Sequence, residues 1–179
     1  MKFTGKPKVL QAGTAFNVGY NANNISPITT RPIQGPCTFY MANATSKGNG
    51  ASWFKIAEIV GKDDKWCSEV IQETMYSSSL IIPAGLNPGN YILRTEVIDL
   101  PKGDMTADDF TRGPHFYVNC MAVQVTSDGT DTPKGNKIPG IYNNMEEKFW
   151  VDGSVSANVA TFKIPGPQVY TPSTPRGTT

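Results

Sequence analysis

The chain has 179 residues, of which 39% are apolar and 17% charged, with Lys and Arg totalling 16 against 15 for Asp and Glu. That near-neutral balance supplies no field to gather nucleic acid or an anionic membrane, and no apolar run approaches the roughly 20 residues that span a bilayer. The length suits one domain, able to bury roughly 70% of the surface its unfolded chain exposes, and the low charge with abundant Gly, Pro, Ser, Thr and Asn suits a loop-rich extracellular β-protein.

Met1 to Lys8 has a positive start but no apolar stretch behind it, so no signal peptide is visible. Short alternating or wholly apolar runs then recur between turn signals, with no heptad and no long helical period, which predicts an all-β antiparallel sandwich. The expected strands are Lys8 to Gln11, Ala15 to Tyr20, Cys37 to Ala42, Phe54 to Val60, Ser79 to Ile82, Gly89 to Asp99, His115 to Thr126 and Ala160 to Ile164. Val9, Phe16, Val18 and Tyr20 are expected to bury one face of the first pair, and Tyr91 to Ile98 alternates as a strand with one wet face. Ala12-Gly13, Asn87-Pro88-Gly89 and Ser127-Asp128-Gly129 carry turn chemistry.

The segments Asn21 to Pro36, Pro101 to Pro114 and Asp128 to Val155 are long for loops, and long loops on a rigid scaffold are where function concentrates. Parts of the last two suit short helix. The prolines after Ile164 predict a surface-hugging tail, so one domain is expected over residues 1–170, with a linker-like end at 171–179. Two glycosylation sequons occur, Asn24-Ile25-Ser26 and Asn43-Ala44-Thr45; Pro27 weakens the first.

Cys37, Cys67 and Cys120 allow one disulfide plus a thiol, three thiols, or a cysteine whose partner is lost. With one histidine in the chain and no Cys-x-x-Cys pair, a zinc site is improbable. A glycosidase needs two carboxylates facing one bond. Nothing in the sequence pairs Glu58, Glu69 or Glu96, and Glu96 beside Arg94 reads as polarity on a sheet surface.

Four blocks, in order, carry a resemblance: Gly35-Pro36-Cys37-Thr38-Phe39-Tyr40-Met41-Ala42, Ala51-Ser52-Trp53-Phe54-Lys55-Ile56-Ala57-Glu58, the run from Pro88 to Ile98, and Gly113-Pro114-His115-Phe116-Tyr117-Val118-Asn119-Cys120. With the ending Ile164-Pro165-Gly166-Pro167 and Tyr170, they resemble auxiliary activity family 9, the fungal lytic polysaccharide monooxygenases, over about residues 8 to 171. The resemblance implies an immunoglobulin-like or fibronectin III-like antiparallel β-sandwich with long loops, secretion, a monomer, and cellulose or hemicellulose as partner. Its cofactor would be copper, held by an N-terminal histidine and a second histidine, with a tyrosine on the axial side.

Carried over position by position, the second copper histidine corresponds to Ile33, and a histidine of the outer shell to Pro101. The axial tyrosine corresponds to Tyr117 and an outer-shell glutamine to His115, which leaves His115 and Tyr117 as a vestigial catalytic pair. The resemblance also implies that the family's opening segment is missing and that Cys120 matches a cysteine bridging to it. Cys37 and Cys67 are then a candidate pair that spacing alone does not establish. For sugar stacking the candidates are Tyr142 and Trp150, near Asp152, because aromatic faces match the apolar faces of sugar rings. No copper is therefore expected on this chain. Three readings follow: a non-catalytic polysaccharide-associated family member, an active copper monooxygenase completed by a preceding segment, and an immunoglobulin-like interaction module.

Overall fold

The computed structural model describes residues 5–20, 33–74, 77–100, 114–142 and 159–173. It is a β-sandwich. A six-stranded sheet carries strands in the order β1 (Lys8–Gln11), β9 (His115–Thr126), β8 (Gly89–Asp99), β3 (Cys37–Asn43), β4 (Ala51–Ile59) and β10 (Asn136–Lys137). Against it lies a two-stranded sheet of β2 (Ala15–Gly19) and β7 (Ser77–Ile81), and a small hairpin of β5 (Gly61–Lys62) and β6 (Lys65–Trp66) leads into helix α1 (Cys67–Glu73).

Alternation sorts each strand of the large sheet between two faces. Phe39 and Met41 of β3, Phe54 and Ile56 of β4, Tyr91, Leu93 and Val97 of β8, and Val123 and Val125 of β9 turn inward onto Val18 and Leu80 of the small sheet and Tyr20 just after it. The outer face is covered as well. Tyr40, Ala42, Trp53 and Ile92 pack beneath Ile138, Ile141 and Tyr142, and Ile98 and Leu100 share a second cluster with Trp66, Val159 and Phe162. Burial on both faces is why β3 is buried from Cys37 to Ala42.

Several sequence expectations hold, with β1, β8 and β9 ending on the predicted residues. Four are corrected. β8 has no wet face, because the 138–142 segment and residues 159–166 lie over the side that its polar residues occupy. β1 does not pair with β2 but runs parallel to β9, Lys8 opposite Val123, so the sheet is not antiparallel throughout. That register turns Leu10 to the core and leaves Val9 56% exposed. Ala160 to Ile164 forms no strand: residues 159–161 turn, and Phe162 packs edge-on against Trp66 at 5.2 Å without a ladder partner.

Helix α1 was not anticipated. Its entry is held by the Glu69 carboxylate accepting from the Trp66 amide at 2.8 Å, the acidic half of a capping box that also meets the helix dipole. Cys67 at its first turn is disulfide-bonded to Cys37 at the start of β3, Cα to Cα 5.8 Å. The turn glycines behave as the sequence requires at Gly13, where φ is 79°. Gly129 is needed for a different reason, since a Cβ there would lie 2.3 Å from the Gly85 carbonyl oxygen.

The C-terminal residues bind back across the sandwich. Tyr170 donates its amide to the Lys55 carbonyl at 2.7 Å, sets its ring edge-on to Phe54, and donates its hydroxyl to Asp131. Asp131 also accepts from the Ser173 amide at 2.8 Å. These bonds hold the Asp131 carboxyl below its ordinary range. A lowered folded pKa gives a contribution that is present above the unfolded value of about 4 and lost as pH falls below it. The tail is therefore expected to loosen in acid, seen as faster amide exchange at Tyr170 and Ser173. Asp131→Asn should flatten that acid limb; an unchanged pH profile would contradict the assignment.

Candidate functional site

The strand directions gather the residues singled out by the resemblance at one end of the sandwich. β3 begins there and β8 ends there, with Cys37 opposite Val97, Val97 opposite Tyr117, and Asp99 opposite His115. The segment before β3 is strapped to this end by a set of hydrogen bonds. The Leu100 amide donates to the Gln34 carbonyl at 2.9 Å, the Gln34 amide to Asp99 at 3.2 Å, and the Ser68 hydroxyl to the Ile33 carbonyl at 2.8 Å. Gly35 has to be glycine, since a Cβ would stand 1.9 Å from the Ile98 carbonyl oxygen. The strap turns the Ile33 side chain inward, where it is 1% exposed and part of the main core.

His115 and Tyr117 alternate onto the same face of β9, the histidine exposed and the tyrosine half-buried against the core. Tyr142 lies across the opposite face. Its ring stacks on Phe116 at 5.3 Å, and its hydroxyl donates to Glu96 at 2.6 Å and meets the Tyr40 hydroxyl at 2.9 Å. The sheet thus separates the pair His115 and Tyr117 from Tyr142. Pro101, Trp150 and Asp152 lie outside the described residues.

The most developed polar constellation is one that sequence reasoning missed. Glu96 is fully buried, not on a wet sheet surface. One of its carboxylate oxygens takes two bonds from Arg94, at 2.9 and 2.6 Å, and the other accepts from Thr38 at 2.7 Å and from Tyr142. Burial together with the Glu96 charge pushes the Tyr142 phenol far above its ordinary value, and burial does the same to Tyr40. Both stay protonated as donors. Beside them Lys55, 1% exposed, pairs with Glu58 at 2.7 Å and sits over the Tyr40 ring. The available signal was Arg94-x-Glu96, two opposite charges on one face of a strand with apolar neighbours.

Glu58, Glu69 and Glu96 have separate partners, namely Lys55, the Trp66 amide with Gln34, and the network just described. They do not form a pair facing a shared bond. Cys120 is the free cysteine, half-buried opposite Arg94, and burial raises its thiol so that it is a poor nucleophile. Among the described residues no group of three or more His, Cys, Asp or Glu is placed to hold a metal ion.

The large sheet, covered on both faces, with a Gly-Pro strap beside the start of β9, defines a β-sandwich, and comparison with known proteins gives its family. The model of Auxiliary Activity family 9 (formerly GH61) matches residues 4–175, and the chain belongs to that family. It is 32% identical over 148 residues to the lytic polysaccharide monooxygenase AA9-X282 of Trametes coccinea, covering 79% of this chain and 51% of that protein. To monooxygenase A of Gloeophyllum trabeum it is 30% identical over 154 residues, covering 84% and 46%. The chain thus spans about half the length, or less, of these curated relatives. Among solved structures, CvAA9A superposes with a TM-score of 0.76 at 26% identity, over 93% of this chain and 76% of the other. The extended catalytic domain of H. jecorina LPMO9A, at TM-score 0.70 and 24% identity over 97% and 69%, shares the fold.

Proposed function

We propose that this chain is a non-catalytic member of the family that associates with cellulose or a related cell-wall polysaccharide outside the cell. One observation carries the reading: the position that the family resemblance gives to a copper histidine is Ile33, and that side chain is 1% exposed in the main core. An aliphatic group has no lone pair to give a metal, and a buried one cannot be exchanged for a ligand without opening the core. The chain's single histidine, His115, with the phenol of Tyr117 makes one nitrogen and one oxygen donor. Copper that cycles with oxygen wants more imidazole than this, so the described residues do not fit the ion and no step is derived through it.

The Cys37–Cys67 disulfide supports an oxidising compartment, and among the described residues no helix is long and apolar enough to cross a membrane. Residues 1–170 act in this reading as a single monomeric domain carrying a linker-like end, with no part for nucleic acid or membrane. Tyr142 and Trp150 are the proposed sugar contacts. The Tyr142 ring is held in place for this by Phe116 below it and by its inward hydroxyl.

Sedimentation with microcrystalline cellulose and with insoluble xylan tests the proposal, followed by product analysis after incubation with copper and a reductant. Retention on one of these without oxidised oligosaccharides is the expected result. Release of oxidised ends would overturn the non-catalytic assignment, and absence from every polysaccharide pellet would overturn the association and favour an interaction module.

A further inference from the structure

We propose that Asn43 is an N-glycosylation site, with the glycan at the pole of the sandwich remote from the candidate site. The sequon Asn43-Ala44-Thr45 lies where β3 ends and a 3-10 turn, Ala44–Ser46, begins. Both Asn43 and Thr45 are exposed, although every preceding residue of β3 is buried. The Asn43 side-chain oxygen accepts from the Thr45 amide at 3.0 Å and from the Thr45 hydroxyl at 2.8 Å. Those bonds use Oδ1 and leave Nδ2 out of the turn's own hydrogen bonds. A sequon marks an acceptor only where its segment reaches the surface, and this one does.

The position also suits a bulky polar substituent. Cys37, at the other end of β3, adjoins the end that holds His115 and Tyr117, and five strand residues lie between it and Asn43, about 20 Å at the usual rise. A glycan at Asn43 therefore stands at the opposite end of β3 from His115 and Tyr117. The transfer joins Asn43 Nδ2 to the anomeric carbon of an oligosaccharide carried on a polyprenyl diphosphate. The bond from that carbon to the diphosphate oxygen breaks, the lipid diphosphate leaves, and one amide proton passes to a base of the transferase.

The proposal rests on the extracellular reading only for passage through the secretory pathway, so the test supplies that passage. The full chain is secreted from a yeast behind a heterologous leader, and its peptides are mapped by mass spectrometry before and after enzymatic release of N-glycans. A glycopeptide at Asn43 is expected, lost in Asn43→Gln and Thr45→Val and kept in Thr45→Ser, which preserves both the sequon and the turn hydroxyl. A secreted chain with Asn43 bare, or with Asn24 alone occupied, would overturn it. Sedimentation with polysaccharide is read separately on the same preparations, so failure of the binding reading leaves the glycan result intact, and the reverse.

Discussion

Replacing Glu96 by alanine is expected to cost about 3–5 kcal/mol, the loss that follows when one partner of a buried charge pair is removed. The carboxylate is fully buried and answers four donor hydrogens, two from Arg94 and one each from Thr38 and Tyr142. Alanine would leave the guanidinium and two hydroxyls facing a hole. Glu96→Gln should cost less, about 1–3 kcal/mol, because both hydroxyls can turn and accept from the new amide while Arg94 keeps one oxygen. Urea denaturation midpoints at neutral pH with unchanged slope would register the series. A loss below about 1 kcal/mol for alanine would show that the network adds little to the fold.

Removing the disulfide has a comparable effect through the unfolded chain. Cys37 and Cys67 close a loop with a sequence separation of 30, for which the chain-entropy relation gives roughly 3.5 kcal/mol. The Cys37→Ala, Cys67→Ala double variant is expected to melt roughly 10 °C lower. The same bridge fixes α1 to the start of β3, where Ser68 holds the Ile33 and Gly35 backbone. The variant should therefore show faster amide exchange first at Gly35 and Ser68. Uniform acceleration through β8 instead would place the effect in global stability alone.

The strands bounded by glycine and proline turns were legible to the residue, because turn chemistry and apolar alternation agree there, as at Gly89 and Asp99. Alternation reports which side is buried and not whether a partner strand exists. Ala160, Phe162 and Ile164 alternate correctly, yet Phe162 simply lays its ring on Trp66. It also cannot say that a second layer covers the far face, so Glu96 looked wet. The parallel β1 register rests on contacts with residues more than 100 positions away, and whether Val9 or Leu10 faces the core is a one-residue difference that no local signal resolves. Helix α1, at seven residues, is too short to show a period and owes its place to Cys37 and Glu69.

At the site, the family blocks single out Ile33, His115 and Tyr117, and the register of β3, β8 and β9 sets His115 and Tyr117 beside the start of β3. They did not reveal that Tyr142 lies on the other side of the sheet, since that depends on the path of the segment after β10. Arg94-x-Glu96 was visible as letters, but its burial depends on Thr38 and Tyr40 of β3 and on Tyr142, drawn from two distant parts of the chain.

The central claim is that this family member works without copper. Calorimetric titration with cupric ion, on protein whose native N-terminus has been fixed by mass spectrometry, tests it most directly. The account predicts no tight one-to-one binding and no nitrogen-rich coordination signal by electron paramagnetic resonance. Stoichiometric tight binding with such a signal would contradict it, and would place His115 and a residue ahead of β1 at the centre of an active enzyme.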